Sequence, residues 1–474
     1  MRYSCTPPLL PRWKVPASKR PGSSNRCRYW SSRLSRSIQP SRSACTTGWY
    51  SCYLPCLSPP SYIWPARSSV TTNTDPDGTS HPDVRRSRPD ATETSVRQGA
   101  RYGVYIVGVN KLWKSSWQRF FGHLKPIYVS KPDQVPEGAT ALIWGLKTPD
   151  SAFHPKVTVY RVEDGFIRSV GLGAEFTQPC SWVIDRRGLY FDATRPSDLE
   201  HMLQHETFSD ALQQRAEALI QQLNQSGINK YNTGNTHWPQ GAALQAHAEQ
   251  KQQRILLVPG QVETDASIQL GSPQLKTNIS LLQRVREDNP QALIIYKPHP
   301  DVVAGARGKG RHEQKASDYA DVIVTDVSIN HVLAIADEVH TLTSLTGFEA
   351  LLRWQGQVNK QVHCYGQPFY SGWGLTRDHL PNPRRSRRRS LAELVAASLI
   401  CYPRYSIPGY ADSRDNRTAE VGPEEVINWL SHRLLKQQRE QSSTTAFTVR
   451  AKTRLISTAK RLLRRVIKHM LRRY

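Results

Sequence analysis

Residues 157–173 read VTVYRVEDGFIRSVGLG, in which an apolar run is followed at once by two acids and a glycine. The run from Val157 to Tyr160 suits a buried strand, whereas adjacent acids and a glycine are poor strand material, so we expect the chain to turn there. Ligands of open α/β sheets bind beyond the carboxyl ends of strands. Glu163 and Asp164 are therefore the candidate catalytic residues, although an isolated acid-acid-glycine sequence also occurs in ordinary turns.

Two later segments place reactive side chains after strand-like runs in the same way. In IIYKPHPD (294–301), two prolines end the run and hold His299 beyond it. In HTLTSLTGFEALL (340–352), a turn rich in hydroxyl groups opens a helical run, and free N–H groups at a helix start bind anions. Each segment alone also fits a plain loop or a helix cap. Together with the acids they predict a sugar-nucleotide site, with a carboxylate for the sugar carbon and a cation and amides for the phosphate.

From Tyr102 onward, strand-like and helix-like segments alternate, which predicts an α/β fold with parallel sheets. The predicted strands are residues 102–107, 141–143, 157–162, 255–258, 292–296 and 322–324. The predicted helices are residues 111–121, 198–223, 280–287 and 348–354. Lys230, Tyr231 and Asn232 lie between the two sets and are assigned to a hinge.

The chain resembles the bacterial capsule-polysaccharide β-Kdo transferases of the KpsC type from about Tyr102 to about Tyr405, with a single catalytic module. The resemblance rests on WGLK (144–147), RVEDGFIRSVGLG (161–173), YFDA (190–193), KYN (230–232), LLVPGQVETDAS (256–267), KPHPD (297–301), SLTGFEALL (344–352), GQPFYSGWGLTRD (366–378) and CYPRY (401–405). It implies a GT-B-like glycosyltransferase in which two Rossmann-like domains face a cleft. It also implies CMP-β-Kdo as the donor, no other cofactor, and retention of configuration.

Under this resemblance, Asp164 is the nucleophile that holds Kdo covalently after CMP leaves. The chemistry fits, because a carboxylate stabilises a positively charged anomeric carbon and two displacements restore the original configuration. Glu163 would orient Asp164 or move the proton of the acceptor, and His299 would hydrogen-bond to or neutralise the donor phosphate. Neighbouring side chains of an extended chain point to opposite faces, which favours Asp164 over Glu163 as the nucleophile.

The remaining contacts implied by the resemblance surround the donor. Those assigned to the phosphate and the ribose are Lys297, Ser344, Thr346, Gly347 and Glu349. Those assigned to the substrate, including its carboxylate, are Arg161, Arg168, Gln261, Gln367, Tyr370 and Trp373. Two alternatives stay open: surface charge for the arginines and Lys297, and a packed corner for the group from Gln367 to Trp373. No metal is expected, because His299, Asp301 and His363 lack ligand spacing and we see no DxD pair of the kind that holds a nucleotide-bound cation.

The formal net charge of +25 is concentrated at the two ends of the chain. Residues 1–97 hold 15 basic and 5 acidic residues, and residues 447–474 hold 10 basic and no acidic ones. The middle is therefore close to an ordinary soluble protein, which argues against nucleic-acid binding by the core. The run RRSRRR (384–389) is interpreted as a solvated linker.

Four regions are predicted. Residues 1–98 are rich in Ser, Pro, Arg, Cys and Trp, and we interpret them as an aberrant segment from a shifted reading frame or a mis-assigned start, or else as a disordered basic extension. Residues 99–248 would form an acceptor and catalytic domain with a Rossmann-like fold, and residues 249–410 a nucleotide-binding domain of the same kind. Residues 411–474 would form a helical basic tail.

Within this tail, apolar residues from Leu455 to Met470 line one side of a predicted helix and Lys and Arg cover the other. Such a helix suits an anionic lipid surface, although docking on the protein itself or on RNA is the alternative. No run of about 20 apolar residues is present to span a bilayer. The expected location is cytoplasmic and peripheral at the inner membrane, with a lipid-linked glycan acceptor and a capsule assembly or export complex as partners.

Three functions from different classes remain open at this stage. The first is a retaining Kdo transferase that builds the Kdo linker for capsule attachment. The second is an inverting CMP-sugar transferase of the sialyltransferase type, in which Asp164 would be a general base for the acceptor hydroxyl. The third is a non-catalytic export scaffold, which an active Asp164→Ala variant would favour.

Overall fold

Two six-stranded sheets covered by helices make up the structure, a computed structural model that describes residues 103–171, 177–235, 237–303, 313–409 and 421–442. The segment of residues 1–98 and the basic helix predicted beyond residue 447 lie outside the described residues. All described residues belong to one compact unit of the chain. None of the described helices is long and apolar enough to cross a membrane.

The first half of the chain contains β1 (Val104–Val107), α1 (Lys114–Phe121), β2 (Ile127–Val129), β3 (Thr140–Trp144), β4 (Thr158–Asp164), β5 (Ser181–Asp185), α2 (Asp198–His205), α3 (Asp210–Ser226) and α4 (Pro239–Gln250). The second half contains β6 (Ile255–Pro259), α5 (Ala266–Gly271), α6 (Asn278–Asp288), β7 (Leu293–Lys297), α7 (Pro300–Val303), β8 (Val322–Ile323), α8 (Ile329–Ile335), β9 (Glu338–Thr341), α9 (Leu345–Arg353), β10 (Gln361–Cys364), β11 (Arg377–Asp378), α10 (Leu391–Val395), a π-helical turn (Ala396–Cys401), β12 (Pro403–Tyr405) and α11 (Pro423–Ser442). Short 3₁₀ turns cover Lys111–Trp113, Gly122–Leu124, Pro132–Gln134, Asp150–Ala152 and Glu313–Asp318.

The prediction of parallel sheets is confirmed for the second sheet and only in part for the first. The second sheet has the strand order β11-β10-β9-β6-β7-β8, and every pair in it is parallel. The first sheet has the order β12-β5-β4-β3-β1-β2, in which β1 to β4 are parallel. Strand β5 is antiparallel to both of its neighbours, β4 and β12. Each sheet therefore has a doubly wound parallel part, and in the first sheet the reversed strand β5 and the strand β12 extend one edge.

Strand order fixes where each sheet can bind a ligand. In the second sheet the chain runs from β6 outward to β8 and then returns to the other side of β6 as β9. In the first sheet the same reversal separates β1 from β3. The crevice outside the carboxyl ends of strands at such a reversal is the usual ligand position in open α/β sheets. The segments after β6 and β9, and those after β1 and β3, are therefore expected to border a ligand-binding site.

The boundary predicted at residue 410 for the second domain needs correction. After α10 the chain returns to the first half, where β12 pairs with β5, for example Tyr405 with Ser181. A continuous apolar core also joins the halves: the ring centroid of Phe369 lies 4.5 Å from that of Phe166 and 5.1 Å from that of Phe348. Local sequence patterns do not reveal this return, because β12 is only three residues long.

The single helix predicted over residues 198–223 is two helices in the structure. The first, α2, ends at His205, and α3 begins after Ser209. The Ser209 side chain accepts a hydrogen bond from the Leu212 amide, which is the contact of an N-cap. The apolar spacing continues across the break, so the periodicity alone did not show it.

The interpretation of residues 384–389 as a solvated linker is wrong. Nε of Arg384 and Nε of Arg385 donate to the two carboxylate oxygens of Glu200, at 2.6 and 3.0 Å. Nε of Arg389 donates to the Leu203 carbonyl at 2.6 Å, and both Arg385 and Arg389 are buried. Glu200 and Leu203 belong to α2, so these arginines fasten the second half of the chain to the first. A buried guanidinium needs such partners to offset its desolvation.

Candidate functional site

Asp164 is the last residue of β4, and a hydrogen bond from a buried arginine holds its carboxylate in place. Its Oδ2 accepts a 2.7 Å hydrogen bond from Nε of Arg168, whose side chain is only 3% exposed. Nη1 of Arg168 is held in turn by Oγ of Ser169 at 2.9 Å. The other oxygen, Oδ1 of Asp164, is buried with no hydrogen-bond partner among the described residues. The two oxygens of this carboxylate thus differ, since Oδ2 is anchored and Oδ1 has no hydrogen-bond partner among the described residues.

The turn after Asp164 depends on Gly165. A Cβ atom at this position would lie 2.5 Å from Oγ of Ser181, too close for any side chain. The backbone of β4 therefore passes directly against β5, where Asp164 is paired with Trp182. Tyr190 adds a further restraint, since its hydroxyl donates to the Asp164 carbonyl at 3.2 Å. Gly165 permits this close approach because it has no side chain.

Glu163 has a different environment from its neighbour. Its Oε1 accepts a 3.0 Å hydrogen bond from the Asp164 amide. Burial, followed by the charge of Asp164, raises the pKa of Glu163 to about 8, against the lowering effects of that amide and of Lys230. At neutral pH this side chain is therefore mostly protonated, and its pKa lies in the range suited to general acid-base work.

Lys230 and Tyr231 are site residues that the sequence reasoning placed only in a hinge. The Lys230 amide donates to Oε1 of Glu349 at 3.0 Å, and its Nζ lies 5.4 Å from the Tyr231 ring centroid. Burial lowers the pKa of Lys230, but the nearby tyrosines and the acid pair, Tyr231 first, outweigh it and raise the pKa overall. The Tyr231 ring centroid lies 6.5 Å from that of His299. This segment thus links the strand-end acids to His299 and α9; the only signal for it was the KYN sequence.

His299 follows β7 as predicted and lies directly before α7. Its Nδ1 accepts the Asp301 amide at 3.1 Å, and its carbonyl accepts the Val302 and Val303 amides. A neutral imidazole that accepts through Nδ1 carries its proton on Nε2, which makes Nε2 a donor. Burial lowers the pKa of the adjacent Lys297, with Asp326 acting in the opposite direction. Lys297 thus supplies a positive charge at the end of β7, and His299 supplies a hydrogen-bond donor just beyond it.

Ser344 caps α9, and the first turn of that helix is tightly packed. Oγ of Ser344 accepts the Thr346 amide at 3.2 Å, while the Ser344 carbonyl accepts the Tyr370 hydroxyl at 2.5 Å. A Cβ at position 347 would lie 2.3 Å from that hydroxyl oxygen, so Gly347 is required here. The amides of this turn lie at the ligand position beyond β9. Burial raises the pKa of Glu349, one of whose oxygens is already bound to the Lys230 amide.

Four of the predicted substrate contacts have their polar groups committed inside the protein. Arg161 is buried and donates to the Thr148 carbonyl at 2.6 Å. Nε2 of Gln261 donates to Oγ1 of Thr343 at 2.9 Å, and Oε1 accepts the Thr343 amide at 3.0 Å, so this side chain ties the loop after β6 to the loop after β9. Nε2 of Gln367 donates to the Pro381 carbonyl at 3.1 Å. Trp373 is fully buried, with Nε1 donating to the Phe369 carbonyl at 2.9 Å.

Tyr370 belongs with this group, since it is fully buried and its hydroxyl is used by Ser344. Direct substrate contact stays a prediction for Arg161, Gln261, Gln367, Tyr370 and Trp373, whose polar groups form hydrogen bonds within the protein. The packed-corner alternative describes the last three better. Arg168, in contrast, lies in the site, but the group that it contacts is Asp164.

Trp144 is a third residue, after Lys230 and Tyr231, that the sequence analysis did not assign to the site. It ends β3, at the reversal of the first sheet, and its side chain remains 39% exposed. The ring packs edge-on against Trp182, the strand partner of Asp164, with centroids 5.3 Å apart. An exposed indole fixed beside the acid pair offers a flat apolar surface for a sugar ring.

His363 lies close to two other potential metal ligands that the sequence spacing does not bring together. Among the described residues, Glu338, His340 and His363 form a group whose potential ligand atoms all lie within 4.8 Å of one another. These residues lie on β9 and β10, and Asp164 and His299 are not among them. The candidate catalytic site is built from the ends of β4, β7 and β9 and from the segment at Lys230.

Comparison with known proteins identifies the relatives of this fold and site. Residues 146–405 match the family model described as "Capsule polysaccharide biosynthesis protein". The capsule polysaccharide modification protein LipA of Neisseria meningitidis serogroup A is 50% identical over 329 residues, which are 67% of this chain and 45% of LipA. The lipopolysaccharide-processing protein LpsZ of Rhizobium meliloti is 36% identical over 327 residues, or 66% of this chain and 72% of LpsZ.

Two solved structures are also similar. The β-Kdo 2,7-transferase of Thermosulfurimonas dismutans KpsC has a TM-score of 0.55 and 37% identity, covering 70% of this chain and 99% of that one. The β-Kdo 2,4-transferase of the same KpsC has a TM-score of 0.56 and 31% identity, covering 70% and 98%. This chain spans about half the length of the Neisseria relatives. The match of more than half of the chain to one family model, joined to the KpsC-like structure, shows that the chain belongs to the capsule polysaccharide biosynthesis protein family and is of the KpsC type.

Proposed function

We propose that this chain is a retaining β-Kdo transferase of GT-B-like architecture, which moves Kdo from CMP-β-Kdo to a Kdo-terminated acceptor during synthesis of the capsule linker. The observation that carries the proposal is the carboxylate of Asp164. Its Oδ2 is anchored by Arg168 while its Oδ1 is buried without a partner among the described residues. Burying a carboxylate oxygen without a partner is costly, so such an atom is typical of a reacting group.

In the first step, Oδ1 of Asp164 attacks the anomeric carbon of Kdo. The bond from that carbon to the phosphate oxygen breaks, and the electron pair leaves with CMP. In the second step, the acceptor hydroxyl attacks the same carbon from the opposite face, the bond to Asp164 breaks, and the hydroxyl proton passes to Glu163. Two displacements leave the configuration unchanged. Glu163 suits the proton transfer because its pKa of about 8 is close to neutral.

Departure of CMP requires compensation of the developing charge on the phosphate. His299, as an Nε2 donor, and Lys297 follow the same strand and supply a hydrogen bond and a positive charge. The amides of Ser344 to Gly347 begin α9 and add the positive end of a helix dipole. Glu349 would accept hydrogen bonds from the ribose through the oxygen that Lys230 does not use. These roles make the second sheet the donor side of the site.

The acceptor is proposed to be a lipid-linked glycan that ends in Kdo. Trp144 packs against Trp182, the strand partner of Asp164, and supplies an apolar face for the sugar ring of the acceptor. The basic tail predicted beyond residue 447 would bring the protein to the cytoplasmic face of the inner membrane, near a capsule assembly or export complex. The proposal covers both 2→4 and 2→7 linkages.

The test uses CMP-Kdo generated in situ, a synthetic Kdo-terminated acceptor, the full chain and its Asp164→Asn variant. Asp150→Asn is the matched control, because Asp150 is also paired with an arginine but is mostly exposed. We expect the parent and Asp150→Asn to form product, and Asp164→Asn to lose at least about 10³-fold in kcat. Product from Asp164→Asn at the parent rate would contradict the proposal.

A second measurement separates retention from inversion. Mass spectrometry of the quenched reaction should find one Kdo attached to the peptide that contains Asp164, and NMR should assign the β configuration to the product. Product with inverted configuration and no adduct would support the sialyltransferase-like alternative, in which Asp164 is a general base. A folded parent that binds acceptor but never forms product would support the scaffold alternative.

A further inference from the structure

A cluster of three side chains on the second sheet has no part in the chemistry proposed above. His340 on β9 and His363 on β10 are direct partners in the strand register. Glu338 lies two residues before His340 on the same strand and hence on the same face. Its Oε2 is 2.9 Å from Nε2 of His340 and 3.6 Å from Nε2 of His363. Two imidazole nitrogens and one carboxylate oxygen therefore converge, and all three side chains are buried.

The outward-facing atoms of these side chains are already held. Nδ1 of His340 lies 3.2 Å from the hydroxyl of Tyr365, and Nδ1 of His363 lies 3.2 Å from Nε2 of His379. Such contacts on the second nitrogen are what orients histidine ligands in metal sites. Arg254 pairs with Oε1 of Glu338, so Oε2 is the oxygen that faces the two histidines.

An ion pair between Glu338 and His340 alone does not account for the whole cluster. Nε2 of His363 is buried and has no hydrogen-bond partner among the described residues. Its distance of 3.6 Å from Oε2 is too long for a hydrogen bond but short enough for two ligands of one ion. An ion held by all three atoms would satisfy this nitrogen.

We propose that Glu338, His340 and His363 form a binding site for a divalent transition-metal ion. Two imidazoles and one carboxylate are ligands that zinc accepts, and three protein ligands leave one tetrahedral position for water. His379 is exposed and Arg254 is 57% exposed, so solvent reaches the edge of the cluster. The ion would fasten β9 to β10 just before β9 leads into Ser344, which makes its role structural and separate from Asp164.

The experiment uses the full chain, stripped with a chelator and alkylated under native conditions so that accessible cysteines do not compete. Zinc is titrated and its content measured after gel filtration, and Co²⁺ is added as a spectroscopic probe. We expect one equivalent of zinc, visible bands typical of four-coordinate Co²⁺, and a rise in Tm on adding zinc. Less than about 0.1 equivalent with no Co²⁺ bands would overturn the proposal.

Variants locate the ion. His363→Gln and Glu338→Gln should each weaken zinc binding by more than the roughly 10–100-fold typical of an outer contact, and should abolish the rise in Tm. Tyr365→Phe keeps all three ligands and should weaken zinc binding by roughly 10–100-fold. If His363→Gln fails to fold, Tyr365→Phe still provides a test. Unchanged zinc affinity in Tyr365→Phe would contradict the predicted role of Tyr365 in orienting His340.

His201 and His205 provide the matched control. They lie one helical turn apart on α2 with ring centroids 4.6 Å apart, an arrangement that also binds metals on protein surfaces. The double variant His201→Ala/His205→Ala should keep the full equivalent of zinc. Loss of zinc in this variant, with retention in His363→Gln, would assign the ion to α2 and reject the proposed site. Transferase activity is not the readout, so failure of either proposal is recognisable by itself.

Discussion

Nε of Arg168 lies 2.7 Å from Oδ2 of Asp164, four residues earlier, and this contact leaves Oδ1 as the carboxylate oxygen without a hydrogen-bond partner among the described residues. The arginine is almost fully buried, whereas the Asp164 side chain is 22% exposed. The cation is therefore shielded from solvent more completely than the carboxylate that it contacts. Arg168 acts through Asp164 and is a positioning residue.

Replacing Arg168 by Gln should lower kcat by at least about 10²-fold with little change in the KM for acceptor, because Asp164 loses its orientation and its counter-charge. Loss of one partner of a buried pair should also reduce the free energy of unfolding by about 3 kcal/mol. Steady-state kinetics and urea denaturation measure the two effects. Arg187→Gln, which removes a half-exposed partner of Asp198, should change neither. A folded Arg168→Gln variant with parental kcat would refute the positioning role.

The raised pKa of Glu163 predicts a specific pH dependence of acceptor transfer. A general base must be ionised, so kcat should rise as the pH increases through about 8 and level off above it. Glu163→Gln should have a lower kcat and no such limb. The profile is measured by product formation at fixed ionic strength between about pH 6 and 9.5. Persistence of the limb in Glu163→Gln would assign it to another group, such as the acceptor itself.

The raised pKa of Glu163 also makes the free energy of unfolding depend on pH. Above its unfolded value of about 4.5, Glu163 stays protonated in the folded chain up to about pH 8 but is ionised in the unfolded chain. The folded state then binds more protons, so the contribution of Glu163 to the free energy of unfolding falls as pH rises across this window. The difference in stability between Glu163→Gln and the parent should therefore grow from pH 4.5 to 8 and then stay constant. Denaturation curves at several pH values test this, and a constant difference would contradict it.

Trp144 is expected to act on acceptor binding. Trp144→Ala should raise the KM for acceptor by roughly 3-fold to 10-fold, the loss of one aromatic face, while kcat changes little. Trp144→Phe keeps a flat face and should recover most of the affinity. Ile127→Ala is the control, because Ile127 is similarly exposed but begins β2 at the opposite edge of the sheet. An unchanged KM in Trp144→Ala would exclude the ring from the acceptor site.

Strand ends were predictable from the sequence because they depend on local chemistry. A strand ends at the acids and glycine after Tyr160, and another ends at the prolines around His299, whatever the position of these strands in the fold. Parallel strands of one sheet then have their carboxyl ends at the same edge. The Ser344 turn was predictable for the same reason, since an N-cap is a short-range contact.

Contacts between distant segments were not predictable in this way. The hydroxyl of Tyr370 and the amide of Gln261 are polar groups in motif segments, and only the folded structure reveals that protein groups already bind them. Lys230 enters the site through tertiary packing, without a strand or helix signal. His340 and His363 are 23 positions apart in the sequence and become neighbours only through the register of β9 and β10. Sequence spacing shows metal ligands on one element far better than ligands shared between two.

The close approach of Gly347 and Tyr370 gives a prediction that two substitutions test together. In Gly347→Ala the new methyl group would lie 2.3 Å from the phenol oxygen, and the buried ring has no room to retreat. Overpacking of this kind should cost about 1–3 kcal/mol in the free energy of unfolding and should displace the first turn of α9, raising the KM for CMP-Kdo. In Gly347→Ala/Tyr370→Phe the oxygen is gone, but ring carbons Cζ and Cε2 would still lie 2.8 and 2.9 Å from the new methyl group. Only part of the stability should therefore return, and the hydrogen bond to the Ser344 carbonyl is lost as well. A double-mutant cycle by urea denaturation measures the coupling, with Gly356→Ala as a control for left-handed strain without a clash. Additive losses in the double variant would mean that the phenol oxygen is not what limits residue 347 to glycine.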